Sequence, residues 1–337
     1  MEDSQGEGRR EFLKSWVGVG VALGAVDALA LTEAHAQPAA KSVVVGATDP
    51  LLRGSGTAVD PTRMAALLDR AMQSFAGATG GADPWRQLVH PGQVVGLKVN
   101  TIAGRGLSTN VILVQAIIAK LQQAGIKAND IVVWDRTNHE LERAGFHVSS
   151  SPGADQVRCM GTDGVGYEDT EESFGVATCR LSKILTRVCD VVINVPLLKD
   201  HGEAGVTLAM KNMYGVIDNP NHCHANGCNP AVADVNMLPT IRKKVQFIVA
   251  DLSTVGYEGG PGFRPQYAWQ YNGLLVAKDP VAIDTVGWQI IERKRAEQGL
   301  ATLAAAGRPP RYIATAADAQ HRLGTNDPNF ISVVEAA

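Results

Sequence analysis

Residues 94–134 read VVGLKVNTIAGRGLSTNVILVQAIIAKLQQAGIKANDIVVW, and this stretch decides the fold. A β-branched run, Val94 to Val99, is followed by a segment from Ile112 to Ala124 whose apolar residues Val114, Ile117, Ile118 and Leu121 recur at three and four. That spacing is one face of a helix, and Gly125 stops it. A second β-branched run, Ile131 to Trp134, comes next. Strand, crossover helix and strand make one βαβ unit, which places the two strands parallel.

The same alternation continues outward. Val191 to Val195, Phe247 to Ala250 and Leu274 to Ala277 are further short strands. Asp60-Pro61 to Ala76 reads as an amphipathic helix, and Val281 to Gln298 as another that starts after Lys278-Asp279-Pro280 and buries Ile283, Val286, Gly287 and Ile290. The expectation is an α/β fold, a mostly parallel sheet with helices on both faces. Ser149 to Thr170 is glycine-rich and acidic and reads as loop. If the fold divides into two lobes around a cleft, their boundary falls near 149–170. Beyond Gly307-Arg308-Pro309-Pro310 the pattern is too weak to assign elements.

Composition narrows the partners. A net charge of -3, with acidic and basic residues interspersed, leaves no footprint for nucleic acid. The 35 glycines suit many tight strand-to-helix turns. Of five cysteines, Cys189 lies in an apolar run and reads as a small buried hydrophobe. Cys159 and Cys179 flank the acidic stretch and could pair, a matter the spacing does not decide.

Residues 9–14 read Arg9-Arg10-Glu11-Phe12-Leu13-Lys14, before a weakly apolar run and the small-x-small triplet Ala34-His35-Ala36. This resembles a twin-arginine export signal spanning 1–36, cut so that a single α/β domain, 37–337, begins near Gln37. The run from Trp16 to Leu31 holds three glycines and Asp27, too interrupted for a membrane span. The twin-arginine translocase moves folded proteins, many already loaded with a cofactor, so the resemblance implies a periplasmic address and hints at such a group.

Chemistry concentrates between Asn194 and Asp234, where the chain reads NVPLLKDHGEAGVTLAMKNMYGVIDNPNHCHANGCNPAVAD. This follows directly on the Val191–Val195 strand, at a carboxyl end of the sheet, where open α/β folds bind their ligands. His222, His224 and Cys228 supply the imidazole and thiolate that transition metals such as nickel, iron or zinc accept, without choosing among them. A Cys223–Cys228 disulfide with solvated histidines is the competing reading. Lys211 lies in a buried helix turn, so its amine is either desolvated and reactive or extended to water along a packed stem. Asn212 beside it can bond a ligand, and Lys199 and His201 precede it on the same segment. Lys98 and Asn100 stand at the end of the first strand, and Gly104-Arg105-Gly106 leads to Ser108 and Thr109 before the helix. That arrangement is a candidate anion seat, since free N–H groups and the helix dipole face it.

Several of these stretches carry a family resemblance: Gly96-Leu97-Lys98-Val99-Asn100, Pro196 to His201, Lys211 to Gly215, His224 to Pro230, Gly259-Gly260-Pro261-Gly262 and Asp279 to Asp284. Together they resemble the family catalogued as domain of unknown function 362, whose members have no general assigned reaction. More locally, His201-Gly202-Glu203-Ala204-Gly205, Lys211, Asn221-His222 and Ala225-Asn226 are similar to the cofactor segment of lactate racemase. That family holds nickel through a nucleotide-derived pincer joined to a lysine. Carried over, the resemblance implies Lys211 as the cofactor lysine, His201 as acid or base, and His222 or His224 as a metal ligand. The racemase's early histidine motif has no match here, and its glycine-rich stretch is replaced by Val206-Thr207-Leu208-Ala209-Met210.

These readings converge on a periplasmic, metal- or cofactor-dependent enzyme of oxidoreductase or isomerase class acting on a small anionic substrate. Lys98 and Arg105 would hold the anion, Lys211 the cofactor or a carbonyl, and His201 would move a proton. The alternative is a non-catalytic periplasmic protein that binds metal or solute.

Overall fold

The computed structural model describes residues 41–77, 83–150, 153 and 155–336; the stretch 1–36 read as an export signal lies outside them. The opening βαβ unit is β2 (Val95–Lys98), helix α2 (Val111–Gln123) and β3 (Ile131–Asp135), with β2 and β3 parallel and Val95 opposite Ile131. Asn110 caps α2 by accepting from the Ile112 N–H, which is why the helix starts one residue earlier than its apolar spacing suggests.

One large mixed sheet organises the chain. Its order is β13-β1-β12-β10-β7-β2-β3-β4, adding β1 (Ser42–Thr48), β4 (Arg158–Gly161), β7 (Val191–Asn194), β10 (Val245–Gly256), β12 (Gly273–Ala277) and β13 (Ile331–Glu335). The run from β10 to β4 is parallel throughout, as expected. Strand β12 is antiparallel to both its neighbours, β1 and β10.

Alternate residues face opposite ways along each strand, and each side is covered. Leu97, Val133, Ile193 and Val249 join one core with α1 (Pro61–Ala76) and α2. Val132, Trp134 and Val192 join a second core with α5 (Ala231–Met237) and α8 (Tyr312–Ala317). Ile248, Ala250 and Leu275 join a third beneath α7 (Pro280–Glu297). Lys98 shares the parity of Gly96, opposite to Leu97, which sends it away from α1 and α2.

Two regions differ from the sequence reading. The stretch read as loop contains β4, which pairs with β3 at the sheet edge, and leads into a separate hairpin of β5 (Tyr167–Phe174) and β6 (Ala177–Ser182). Tyr167–Phe174 alternates poorly because most of its residues are exposed or half-buried, so period two carried little signal there. The unassigned C-terminal region supplies α8 and β13.

Candidate functional site

Past the C-terminal end of β7 the chain turns back as a hairpin, β8 (Leu197–His201) with β9 (Gly205–Thr207), and enters the short helix α4 (Ala209–Asn212). Helix α4 is too short to hold itself. The buried Asp284 carboxylate of α7 accepts from the Ala209 and Met210 N–H groups at 2.7 and 3.2 Å and fixes its first turn. Desolvation raises the Asp284 carboxyl to about 7 despite those bonds.

Between this layer and the carboxyl ends of β2 and β3 lies a cavity of about 480 Å³, whose walls include Lys98, Lys199, His201, Thr207, Lys211 and His224. Its floor is a buried polar network. Lys98 Nζ donates to Asp135 Oδ1 at 2.6 Å, to the Val99 carbonyl at 2.7 Å and to Asn212 Oδ1 at 3.4 Å. An ammonium has three donors, and all are engaged. Lys98 therefore does not stand free to hold an anion, as its strand-end position suggested; the carboxylate that takes it lies 37 residues away on β3. Gly215 is required beside this pair, because a Cβ there would stand 2.6 Å from Lys98 Nζ and 2.8 Å from Asp135 Oδ1.

Asn212 is likewise occupied. Its Nδ2 donates to the Lys98 carbonyl and to Asn194 Oδ1, while its Oδ1 accepts from Asn100 Nδ2 at 3.0 Å. It positions the floor rather than meeting a ligand, contrary to the sequence expectation. Asn100 Oδ1 in turn accepts from Lys199 Nζ at 2.8 Å.

Lys199 is wholly buried with no carboxylate in salt-bridge reach among the described residues, and desolvation pulls its amine down to about 7. A large share of it is therefore the free base at neutral pH. Burial also lowers Lys211, to about 8. Its Nζ lies 3.1 Å from His224 Nε2 and 3.6 Å from the centroid of the Tyr214 ring. Both amines face one cavity.

His201 Nδ1 accepts from the Glu203 and Ala204 N–H groups at 3.1 and 3.2 Å. Burial and then the neighbouring Lys211 lower it to about 3. It stays neutral with its proton on Nε2, so it offers a hydrogen-bond donor. Its Nδ1 lone pair is already engaged, so of the acid or base role expected of it this tautomer leaves only that of a donor through Nε2.

Glu203, His224 and Cys228 bring one donor atom each within 4.8 Å of one another, a set able to hold a transition metal. His224 Nδ1 faces the Pro220 carbonyl at 2.8 Å, which fixes the proton there and leaves Nε2 as the ligating atom. Cys228 is buried in the left-handed region, φ 62°, after Asn226 and Gly227 at 54° and 65°. Such a conformation costs a non-glycine residue about 1–3 kcal/mol and clusters at functional sites. His222 stands apart from this set: it is exposed and bonded to Asn219 at 2.6 Å. The two histidines are separated by a single residue of a 3-10 turn, and only His224 turns toward Cys228. Glu203 was missed because a lone glutamate in a turn carries no ligand signature. Also unforeseen were Thr207, whose buried hydroxyl has no hydrogen-bond partner among the described residues, and Arg136, paired with Glu140 at 2.7 Å.

Arg105 belongs elsewhere. It lines a separate cavity of about 270 Å³ beside the N-terminus of α2, with Ser108 and Asn110. All five cysteines are free and buried, so neither the Cys223–Cys228 staple nor a Cys159–Cys179 bond is formed.

The Gly260–Gly262 loop forms another wall through Pro261. Gly260 N–H donates to Asp200 Oδ1 at 2.8 Å, and a Cβ at Gly260 would stand 2.0 Å from the Asp200 carbonyl. Arg308 bridges Asp200 and Glu258, each at 2.5 Å, which pins the loop to β8.

Fold and cavity thus define an α/β protein with a mostly parallel sheet and a lysine-lined site at its carboxyl end. The chain belongs to the family described as a domain of unknown function, DUF362, whose model matches residues 95–289. That span holds every cavity residue named above. Among solved structures, the lactate racemase apoprotein from Thermoanaerobacterium thermosaccharolyticum aligns with 13% identity and a TM-score of 0.39, over 73% of this chain and 56% of that one. The chain therefore matches just over half the length of that protein. No curated protein matches the chain.

Proposed function

We propose that this chain is a metal- or cofactor-dependent enzyme, of isomerase or oxidoreductase class, that acts on a small anionic substrate in the cavity at Lys199. The observation that carries the reading is the meeting of two chemistries on one cavity. Lys199 brings an amine that is partly free base, and Glu203 and His224 on the cavity wall, with the buried Cys228 beside them, bring a ligand set. Neither amine, Lys199 or Lys211, has a carboxylate in salt-bridge reach among the described residues, so an anionic substrate would pair with Lys211, the more protonated of the two, and leave Lys199 as the base. The Thr207 hydroxyl and the His201 Nε2 hydrogen are donors for its oxygens. Lys199 is placed to take a proton from a carbon beside a carboxylate or carbonyl, with its affinity for that proton near neutral pH. A metal at the Glu203 set would stabilise developing negative charge on substrate oxygen.

The leader at residues 9–14 supports export of the folded, loaded chain to the periplasm; fractionating cells that express the full chain tests this. A non-catalytic metal binder is the second reading, favoured by the exposure of Glu203 at the rim. The experiment that separates the two measures metal content and turnover of a panel of 2-hydroxy and 2-oxo acids, for the wild type and Lys199→Met. An enzyme keeps its metal in the variant and loses turnover by about 10²-fold or more. Metal retention with no turnover in either protein would leave the binder.

A further inference from the structure

The second cavity carries chemistry of its own. The loop from Thr101 to Asn110 divides it from the first: Asn100 and Ile102 line the Lys199 cavity, while Arg105, Ser108 and Asn110 line the other. Thr109 holds the loop, accepting from the Asn100 N–H at 2.9 Å and donating to the Val195 carbonyl at 2.8 Å.

Three independent features meet there. Helix α2 has 13 residues, and Asn110 and Val111 at its start form part of the wall. The Asn110 side chain satisfies only the Ile112 N–H, so other first-turn donors and the positive end of the helix dipole face outward. Ser108 is 8% exposed, and its hydroxyl is buried on this wall without a hydrogen-bond partner among the described residues. A buried hydroxyl left unmatched costs about 1–3 kcal/mol, a cost that a ligand would remove. Arg105 stands at the opening, with no ion pair or hydrogen bond on its guanidinium among the described residues. It lies against Gly145, its Cζ 3.6 Å from where a Cβ would be.

The chemistry on the other side is already balanced. Asp251, the acid nearest the helix start, accepts from the Asn110 N–H at 2.6 Å and from the Ser253 N–H at 2.7 Å, with Arg53 as its neighbouring cation. Arg53 donates to Thr254 on the same wall.

We propose that this cavity is a second anion site, distinct from the one at Lys199, which takes a phosphate-like oxyanion, free or as the end group of a small molecule. Ser108 and the first-turn N–H groups contact its inner oxygens, and Arg105 closes on it from the opening. A cavity of about 270 Å³ exceeds the volume of the oxyanion itself, which leaves room for a small attached group.

The test is calorimetric titration of the chain with inorganic phosphate and, separately, with glycerol phosphate, at ionic strength held constant with sodium chloride. The variants are Ser108→Ala, Arg105→Ala and His224→Ala. Arg105 is exposed and Ser108 makes no hydrogen bond, so neither variant should disturb folding. Ser108→Ala should raise thermal stability without phosphate, because it deletes an unmatched hydroxyl, while weakening phosphate binding several-fold. Arg105→Ala should weaken it about tenfold. His224→Ala should leave it unchanged. The tighter of the two ligands identifies the source of the oxyanion. No binding of either up to about 10 mM, or equal affinity in the wild type, Ser108→Ala and Arg105→Ala, overturns the proposal.

Discussion

Lys211 Nζ lies 3.1 Å from His224 Nε2, the same lone pair that a metal at Glu203 and Cys228 would use. The His224 tautomer is fixed by the Pro220 carbonyl, so the ammonium and the metal compete for one atom. Removing Lys211 should therefore leave metal binding intact or tighter. In titrations with Ni²⁺ or Zn²⁺, Lys211→Met should bind at least as well as the wild type. His224→Ala and Cys228→Ser should each lose about tenfold or more, and His222→Ala should match the wild type. Equal losses in the His222 and His224 variants would remove the assigned ligand set.

Lys199 makes stability depend on pH in a defined direction. Its amine titrates near 7 in the folded chain, below its ordinary 10.5, so the unfolded chain binds the proton more tightly. The resulting cost is fully present below about 7 and disappears as pH rises toward 10.5. Lys199→Met, similar in volume, should be the more stable protein at pH 6, by several kcal/mol at most, and the gain should shrink above pH 8. Urea unfolding across that range measures it. A gain independent of pH would place the folded amine at its ordinary value.

The Lys98–Asp135 pair is buried on both sides, with side chains 1% and 7% exposed. Lys98→Met strands the carboxylate and should cost about 3–5 kcal/mol. Replacing both, as Lys98→Met with Asp135→Leu, should cost less than the sum of the single changes. Gly215→Ala forces a methyl against the same pair and should cost about 1–3 kcal/mol. Denaturation midpoints decide each case. An unaffected Lys98→Met would mean that water reaches Asp135.

Thr207 separates binding from folding. Its hydroxyl has no partner among the described residues, so Thr207→Val should keep or improve stability in the absence of substrate. Whatever 2-hydroxy or 2-oxo acid is turned over should then show a KM raised about tenfold, with kcat changed less. An unchanged KM would show that the hydroxyl meets no ligand.

The parallel half of the sheet was legible because buried strands leave dense runs such as Ile131–Trp134, bounded by turn residues. Helix α2 was legible from Val114, Ile117 and Leu121 at helical spacing. Hairpin β5–β6 was not, since a two-stranded surface ribbon buries too little to impose alternation. At the site, sequence singled out Lys199, Lys211, His224 and Cys228, which the fold gathers at or beside one cavity. It could not foresee that Asp135 takes Lys98, that Asn194 and Asn100 occupy Asn212, or that Arg105 faces a different cavity. The first two depend on partners brought in by the topology, 18 and 112 residues away in the case of Asn212, and the third on where the fold places the loop that carries Arg105. Glu203 became visible only once the turn after β8 stood beside Cys228.

The most direct measurement is X-ray absorption spectroscopy at the metal edge of the full chain loaded with one equivalent of Ni²⁺ or Zn²⁺. The assignment requires one sulfur scatterer at about 2.3 Å with nitrogen and oxygen completing the shell, and loss of the sulfur in Cys228→Ser. A shell of nitrogen and oxygen alone in the wild type, or a sulfur that survives in Cys228→Ser, would contradict a metal held by Glu203, His224 and Cys228.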